Sequence, residues 1–200
     1  MIKYPNGQKY QAPKAKTRSQ HKSKDDISLS ASNRGMNLEE DINLSNEWYT
    51  DKGIALITKR PTPINIVKVD YSKGARITDA YFEKQSTTDY NGVYKGHYLD
   101  FEAKNTKSKT SFPLSNIEQH QITHLKRVLE QGGIAFFIIQ FQELQKVFLL
   151  DASFVIDFWE NGERKSIPYQ VFETEGIEIK QGYNPRLFYI DAVEEKYFKK

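Results

Sequence analysis

Apolar and polar residues alternate along HYLDFEAKNT, residues 97–106, with the two-residue period of a β-strand. The alternation predicts one mainly apolar face, made of His97, Leu99, Phe101 and Ala103. It predicts a second, polar face, made of Tyr98, Asp100, Glu102 and Lys104. The preceding stretch DYNGVYKG predicts another strand with a turn around Asn91–Gly92, and this hairpin brings Asp89 back beside Glu102.

Upstream of this hairpin, the pattern predicts a helix and then a strand. Apolar residues with acids between them favour an amphipathic helix over about 37–50, and Gly53 ends it. The segment GIALITKR that follows reads as a buried strand, stopped by Pro61 and Pro63. Polar and apolar residues at 64–86 then predict an inserted pair of extended segments with a turn near Lys73–Gly74.

Downstream of the hairpin, the pattern predicts a helix followed by a central strand. Ser115 and Glu118 have the spacing of a capping box, an apolar line runs from Ile122 to Leu129, and Gly132–Gly133 supplies the stop. The near-continuous apolar run IAFFIIQF indicates a strand buried on both faces. KVFLLDASFVIDFW reads as strands or as a strand and a short helix, and the remaining chain as edge strands with a final short amphipathic piece.

Composition limits the class of protein without identifying it. The 200 residues suit one domain with a substantial core, and the net charge is +3. The sequence has no cysteine, which excludes disulfides and thiolate metal sites and agrees with a cytoplasmic location. No apolar run approaches the length of a membrane span, and no apolar segment of a secretory signal follows the basic N-terminus.

The first 34 residues are rich in lysine, arginine, serine and glutamine and poor in apolar residues. We expect residues 1–32 to form a flexible basic arm and residues 33–200 to form the folded domain. Such an arm, with Arg34 at its junction to the domain, is suited to contact phosphate backbones. The alternative is a tail that only aids solubility or derives from cloning.

Asp89, Glu102 and Lys104 are the candidate catalytic residues. Two carboxylates and an ammonium on one sheet face can hold a hard divalent cation and activate a water molecule. Alternation places Glu102 and Lys104 about 7 Å apart on the same face. With no cysteine and no histidines at zinc spacing, the ligand types favour Mg²⁺, with Mn²⁺ as a substitute. The alternative for any E-x-K pair is a solvated strand face.

Other basic residues are candidate nucleic-acid contacts. Within the insertion at 64–86 the candidates are Lys68, Lys73 and Arg76. They lie near the turn, and tyrosines are interleaved with them. Lys107 lies in the polar loop after the E-x-K strand. An ordinary exposed hairpin is the alternative for the insertion.

The order of these elements resembles the PD-(D/E)XK nuclease core. More closely, three blocks together resemble the RecU family of bacterial Holliday junction resolvases, namely NRGMNLEEDI, DYNGVYKGHYLDFEAKNT and FPLSNIEQHQITHL. Thr88 stands where the superfamily motif has proline, which is not a ligand. The resemblance implies an α/β fold of the restriction-endonuclease type, with a central mixed β-sheet flanked by helices, a projecting β-stalk at 64–86 and the basic arm.

The resemblance also implies roles and partners. Asp89 and Glu102 match the metal-binding carboxylates, Lys104 matches the lysine of the motif, and Glu39 best matches the acid of the first helix, with Glu40 as the fallback. Gln121 is a further candidate metal ligand, for which a surface or helix-cap contact is the alternative. The implied activity is paired, magnesium-dependent cutting of four-way DNA junctions by a homodimer, with the RuvAB motor and the RecA protein as associated partners.

Two other functions stay open at this level. A restriction-like or repair endonuclease acting on ordinary duplex DNA has the same metal site, and only substrate preference separates it from a resolvase. A non-catalytic architectural protein that binds branched DNA needs none of the carboxylates, and the intact set of Asp89, Glu102 and Lys104 argues against it.

Overall fold

The computed structural model describes residues 37–83 and 87–199. The expected arm at 1–32 and the candidate contact Arg34 lie outside these residues. The helices of the described part are α1 (Leu38–Asp51), α2 (Gln119–Glu130), α3 (Ala152–Asn161), α4 (Tyr169–Glu175) and α5 (Tyr189–Tyr197). Its strands are β1 (Leu56–Lys59), β2 (Ile64–Asp70), β3 (Arg76–Phe82), β4 (Tyr90–Tyr94), β5 (His97–Thr106), β6 (Ser111–Pro113), β7 (Ile134–Phe141), β8 (Lys146–Asp151), β9 (Ser166–Pro168) and β10 (Ile177–Glu178).

A six-stranded mixed sheet forms the centre of the fold, in the order β1-β4-β5-β7-β8-β10. Strands β5 and β7 are parallel, with Glu102 opposite Phe137, and the other pairs are antiparallel. The parallel pair is connected through α2, as a parallel crossover requires. β7 is buried along most of its length, which confirms the prediction of a central strand.

Helices cover both faces of this sheet, and each face has its own apolar core. On one side α1 and α5 pack on the odd-numbered residues of β5, including Leu99 and Phe101. On the other side α2, α3 and α4 pack on alternate residues of β7, including Phe137 and Ile139. The α/β fold with a central mixed sheet flanked by helices is therefore confirmed, and the polar residues of β5 face the α2 side.

The turn of the β4–β5 hairpin is not where the sequence predicted it. Tyr94 pairs with His97, so the two-residue turn is Lys95–Gly96, and both residues have positive φ, +47° and +78°. Asn91 and Gly92 lie inside β4 instead. A Cβ on Gly92 would lie 2.1 Å from the Leu56 carbonyl oxygen, so this glycine permits the close approach of β1.

The start of α2 also differs from the prediction. A 3₁₀ turn occupies Leu114–Asn116, and Ile117 is extended, so Ser115 does not cap the helix. Glu118 is the N-cap instead and forms a capping box with Gln121. The helix ends as expected before Gly132, which has a positive φ.

Three further segments refine the predictions. β1 is an edge strand with only Ile57 buried, so the prediction of a buried strand was wrong there. KVFLLDASFVIDFW forms a strand and then a helix, β8 and α3. Where edge strands were predicted in the tail, β9 and β10 are short and α4 lies between them, because the apolar residues Tyr169, Val171 and Phe172 pack onto the α2-side core.

Candidate active site

Strand pairing brings Asp89 and Glu102 into direct contact. Asp89 comes immediately before β4, whose first residue Tyr90 pairs with Phe101. The Asp89 backbone N–H donates to Glu102 Oε2 at 3.1 Å, and the Ala103 backbone N–H donates to Asp89 Oδ2 at 3.4 Å. The two carboxyl groups therefore lie side by side at one end of the hairpin ladder, Asp89 just before β4 and Glu102 on β5.

Lys104 lies beside the same carboxylate. Its Nζ is 2.9 Å from Glu102 Oε1, and its side chain is 20% exposed whereas that of Glu102 is 1% exposed. The two residues occupy alternate positions on one face of β5, which is the arrangement that the strand alternation predicted. The ammonium group is thus the more accessible partner of a buried ion pair.

Gln121, on the first turn of α2, contacts the same oxygen of Glu102 as Lys104 does. Its Oε1 accepts from the Glu118 N–H at 2.9 Å, and its Nε2 donates to Glu102 Oε1 at 2.5 Å. The side chain therefore makes the cap contact and also reaches the site. Because a cation binds the amide oxygen, Gln121 could act as a ligand only after its amide turns away from the cap.

The environment of Glu102 favours its protonated form when no cation is bound. Burial is the main cause, the negative charge of Asp89 adds to it, and Lys104 opposes both, so that the pKa of Glu102 rises from 4.5 to about 8. If both carboxyl groups ionise, the ammonium of Lys104, which contacts Glu102, compensates only one of the two negative charges. A divalent cation fits this charge imbalance and the oxygen-rich set of side chains.

Neither of the candidate helix acids reaches the paired carboxylates. Glu39 forms an ion pair with Lys59 at the end of β1, and both side chains are 41% exposed. Its backbone carbonyl accepts from Tyr90 Oη at 3.2 Å, which fixes the start of α1 beside β4. Glu40 is exposed. Within residues 37–83 and 87–199, no hydrogen bond joins Glu39 to Asp89 or Glu102.

The candidate DNA-contacting residues lie outside the group formed by Asp89, Glu102, Lys104 and Gln121. β2 and β3 form a separate two-stranded sheet, and the structure leaves its basic side chains exposed, namely Lys68, Lys73 and Arg76. Lys107 is exposed directly after β5 ends at Thr106. His120, one residue before Gln121 on α2, has its Nδ1 3.9 Å from the carboxylate of the exposed Glu118.

A second polar cluster next to the site was not predicted from the sequence. Its centre is Asp100, which is fully buried two residues before Glu102 on the same face of β5. We call it the Asp100 cluster, and its members are Arg60, Thr88, Tyr98, Asp100 and His124. Although burial alone would raise the pKa of Asp100, hydrogen bonds from His124 and Thr88 and the charge of Arg60 lower it below its usual value. The one sequence signal for this cluster was the strand alternation, which places Asp100 on the same face of β5 as Glu102.

Two negative findings concern the described part of the chain. There, no group of three or more histidine, cysteine, aspartate or glutamate side chains is close enough to hold a metal ion. The candidate site instead combines two carboxylates with an amide. In the same residues, no helix has the length and apolar character needed to cross a membrane.

Comparison with known proteins gives consistent matches over nearly the whole chain. The family model described as RecU, recombination protein U, matches residues 33–195. The Holliday junction resolvase RecU of Geobacillus sp. (strain WCH70) is 52% identical over 203 residues, which cover 99% of this chain and 98% of that protein. The protein of the same name from Lactiplantibacillus plantarum is 50% identical, covering 96% of this chain and 94% of its own length.

A solved structure, that of Hjc, a Holliday junction resolvase from Archaeoglobus fulgidus, is a much more distant match. It has a TM-score of 0.41 and 12% identity, and the overlap covers 68% of this chain and 94% of that one. A likeness this remote does not bear on function.

Proposed function

This chain belongs to the RecU family, and from that premise we propose that it is a nuclease that resolves four-way DNA junctions by metal-dependent hydrolysis of phosphodiester bonds. The observation that carries the proposal is the contact between Asp89 and the buried Glu102, whose Oε1 also contacts Lys104 and Gln121. No other group of the described residues combines a buried carboxyl group of raised pKa with a second carboxylate and an accessible ammonium in this way.

Asp89 and Glu102 would hold Mg²⁺, or Mn²⁺ in its place. Oxygen ligands are the ones that these hard cations prefer, and the carboxyl pair, of which Glu102 is buried, lacks a full complement of positive charge. Gln121 would contribute its amide oxygen as a further ligand. When bound, the cation supplies Lewis acidity toward the scissile phosphate and toward water.

Lys104 would act on the phosphate and on the attacking water. Its Nζ now contacts Glu102 and is accessible enough to reach a bound phosphate by rotation of a flexible side chain. An ammonium there adds positive charge where negative charge develops during in-line attack. Release from Glu102 becomes easier when a cation satisfies the carboxylate.

Glu39 has a less direct role in the proposal. It would orient a water molecule or bind a second cation, which requires it to exchange Lys59 for a new partner. An exposed ion pair of this kind contributes little stability, so the exchange has a small energetic cost. Glu40 is the alternative acid on the same turn.

Specificity for junctions would come from basic residues away from the metal site. The β2–β3 stalk presents Lys68, Lys73 and Arg76, and Lys107 lies on the loop that follows β5. Arg34 and the basic arm would add further phosphate contacts. Two opposed cuts need two equivalent sites, which a C2 homodimer supplies. RuvAB and RecA are the proposed partners, and the cytoplasm is the proposed location.

The test is cleavage of a labelled four-way junction beside a linear duplex of matching sequence, with and without Mg²⁺, by the wild type and Glu102→Ala. Paired nicks in the junction that require Mg²⁺ and Glu102 support a resolvase. Equal attack on both substrates supports a general duplex endonuclease instead. Tight junction binding without any cutting supports an architectural role.

The same samples separate cutting from binding. In a gel shift without metal, Asp89→Ala and Glu102→Ala should bind the junction nearly as well as the wild type, because the stalk and the arm supply the phosphate contacts. A loss of binding equal to the loss of cutting would contradict that division.

A further inference from the structure

We propose that the Asp100 cluster, with Asp100 as its centre, positions the metal-binding groups. Its members would act on the reaction only through the metal-binding residues that they hold in place. The inference rests on the metal site proposed above. Asp100 is fully buried, and the cluster partners reach its carboxylate from three other parts of the fold. It accepts from Arg60 Nη2 at 2.5 Å, from Tyr98 Oη at 2.9 Å and from Thr88 Oγ1, and His124 Nε2 lies 3.0 Å away.

The first link of the cluster fixes Asp89. Arg60 donates from Nη1 to Thr88 Oγ1 at 2.8 Å, and its backbone N–H donates to the Asp89 carbonyl oxygen at 2.7 Å. Thr88 is itself buried and donates to Asp100. The segment that carries the first carboxylate is therefore attached to the end of β1 and to β5, immediately before β4 begins.

The second link fixes Gln121. His124 follows Gln121 by three residues, so both side chains leave α2 on the same face. Gln121 contacts Glu102 while His124 contacts Asp100, and the two acids are alternate residues on one face of β5. The helix is thus attached to the strand at two successive positions, and these contacts set how closely the Gln121 amide approaches Glu102.

Burial and charge explain why the cluster can define a geometry. A buried carboxylate is costly unless charged and hydrogen-bonded partners surround it, so the partners of Asp100 cannot move independently without leaving it unsatisfied. Arg60 suits this task because its planar guanidinium forms several directed hydrogen bonds at once. Asp100 has no exposed surface, so it is a positioning residue and does not touch the DNA.

The distinguishing measurement is direct metal binding by the DNA-free protein. Mn²⁺ is titrated into the full chain and the free ion is followed by electron paramagnetic resonance. Changing residues that support metal ligands typically weakens metal binding by about 10- to 100-fold, and we expect a loss in that range for Asp100→Asn. Half-saturating Mg²⁺ in the junction-cleavage assay should rise by a similar factor, while metal-free junction binding stays at the wild-type level.

Asp41→Asn is the matched control. Asp41 is also a largely buried carboxylate in an arginine pair, with Arg186 Nε at 2.9 Å, but it lies on α1 outside the cluster. The Asp41→Asn variant should have a lower melting temperature than the wild type and should bind Mn²⁺ equally well. If Asp100→Asn lowers only the melting temperature and binds Mn²⁺ like the wild type, the cluster is merely structural and the inference fails.

Arg60→Lys gives a second, milder test if Asp100→Asn does not fold. Lysine keeps the charge near Asp100 but cannot hold Thr88 and Tyr98 at the same time, so Mn²⁺ binding should weaken by at least about threefold, less than for loss of the carboxylate. Wild-type Mn²⁺ binding by Arg60→Lys would overturn the inference. Glu102→Gln separates the two proposals: if that variant binds Mn²⁺ and cuts normally, the metal site itself is misplaced.

Discussion

Glu102 should make the metal-free protein less stable as the pH rises toward 8. Burial and the neighbouring Asp89 raise the pKa of this carboxyl in the folded state to about 8, from 4.5. Between these values the folded protein holds a proton that the unfolded chain has released, so the stabilisation is complete below about pH 4.5 and is lost as the pH passes through 8. The free energy of unfolding then falls by about 1.4 kcal/mol per pH unit well below the folded pKa and more slowly near it, so that the fall from pH 6 to pH 8 is about 2 kcal/mol.

Urea unfolding in the presence of a chelator measures this effect at pH 6, 7 and 8. Glu102→Gln keeps the size of the side chain but cannot titrate, so the difference in slope between wild type and variant isolates Glu102 from the other groups. Glu178→Gln is the control, because Glu178 is exposed and paired only with Lys146 at the surface. Parallel pH dependence in the wild type and Glu102→Gln would refute the reasoning.

Adding Mg²⁺ at pH 8 extends the same experiment. In the proposed site the cation binds the ionised carboxylate, so Mg²⁺ should restore stability to the wild type and leave Glu102→Gln almost unchanged. Equal stabilisation of both proteins would mean that the cation binds elsewhere.

Three further predictions test the remaining parts of the site and fold. Lys104→Ala should slow junction cutting by about 10²- to 10³-fold at saturating Mg²⁺ and leave metal-free binding intact, and equal losses in both assays would contradict a role at the phosphate. Gly92→Ala should reduce the unfolding free energy by about 2–4 kcal/mol in urea, since the new Cβ would displace β1, whereas Gly96→Ala, which has a positive φ and open space, should cost only about 1 kcal/mol. The basic stalk residues are Lys68, Lys73 and Arg76, and replacing all three by alanine should reduce the slope of log K against log salt for junction binding by about 2–3. Replacing Lys126 and Lys146, which are paired at the surface, by alanine is the control and should leave this slope unchanged.

The sequence predicted the strand of the candidate site well because alternation is a property of the strand itself. Once residues 97–106 are a β-strand, Glu102 and Lys104 must share a face, and the structure has them in contact. The helix acid was harder to assign, because the pattern does not show which partner an exposed side chain selects. Glu39 pairs with Lys59, which is distant from it along the chain and close only after β1 has joined the sheet.

The errors in the turn and the cap have a shared cause. Asn91–Gly92 is a strong turn dipeptide in isolation, but the approach of β1 requires a residue without a side chain at that point of β4. Ser115 and Glu118 match a capping box in spacing, yet the Leu114–Asn116 turn precedes the helix and Glu118 caps it. Local signals of this type are outweighed by contacts between elements that the sequence does not reveal.

The two acids on the inner face of β5 differ in how completely the protein neutralises them. Each is buried, each is two residues from the other, and each meets a polar side chain from successive turns of α2. Asp100 also has Arg60 and two hydroxyl donors, so its pKa falls despite burial, whereas Glu102 has a second carboxylate beside it and its pKa rises. Because these pKa values move in opposite directions on one strand, charge compensation and not burial distinguishes the two positions. A buried acid whose charge is fully compensated, such as Asp100, suits a structural role. An acid whose surroundings lack compensating positive charge, such as Glu102, suits a cation site.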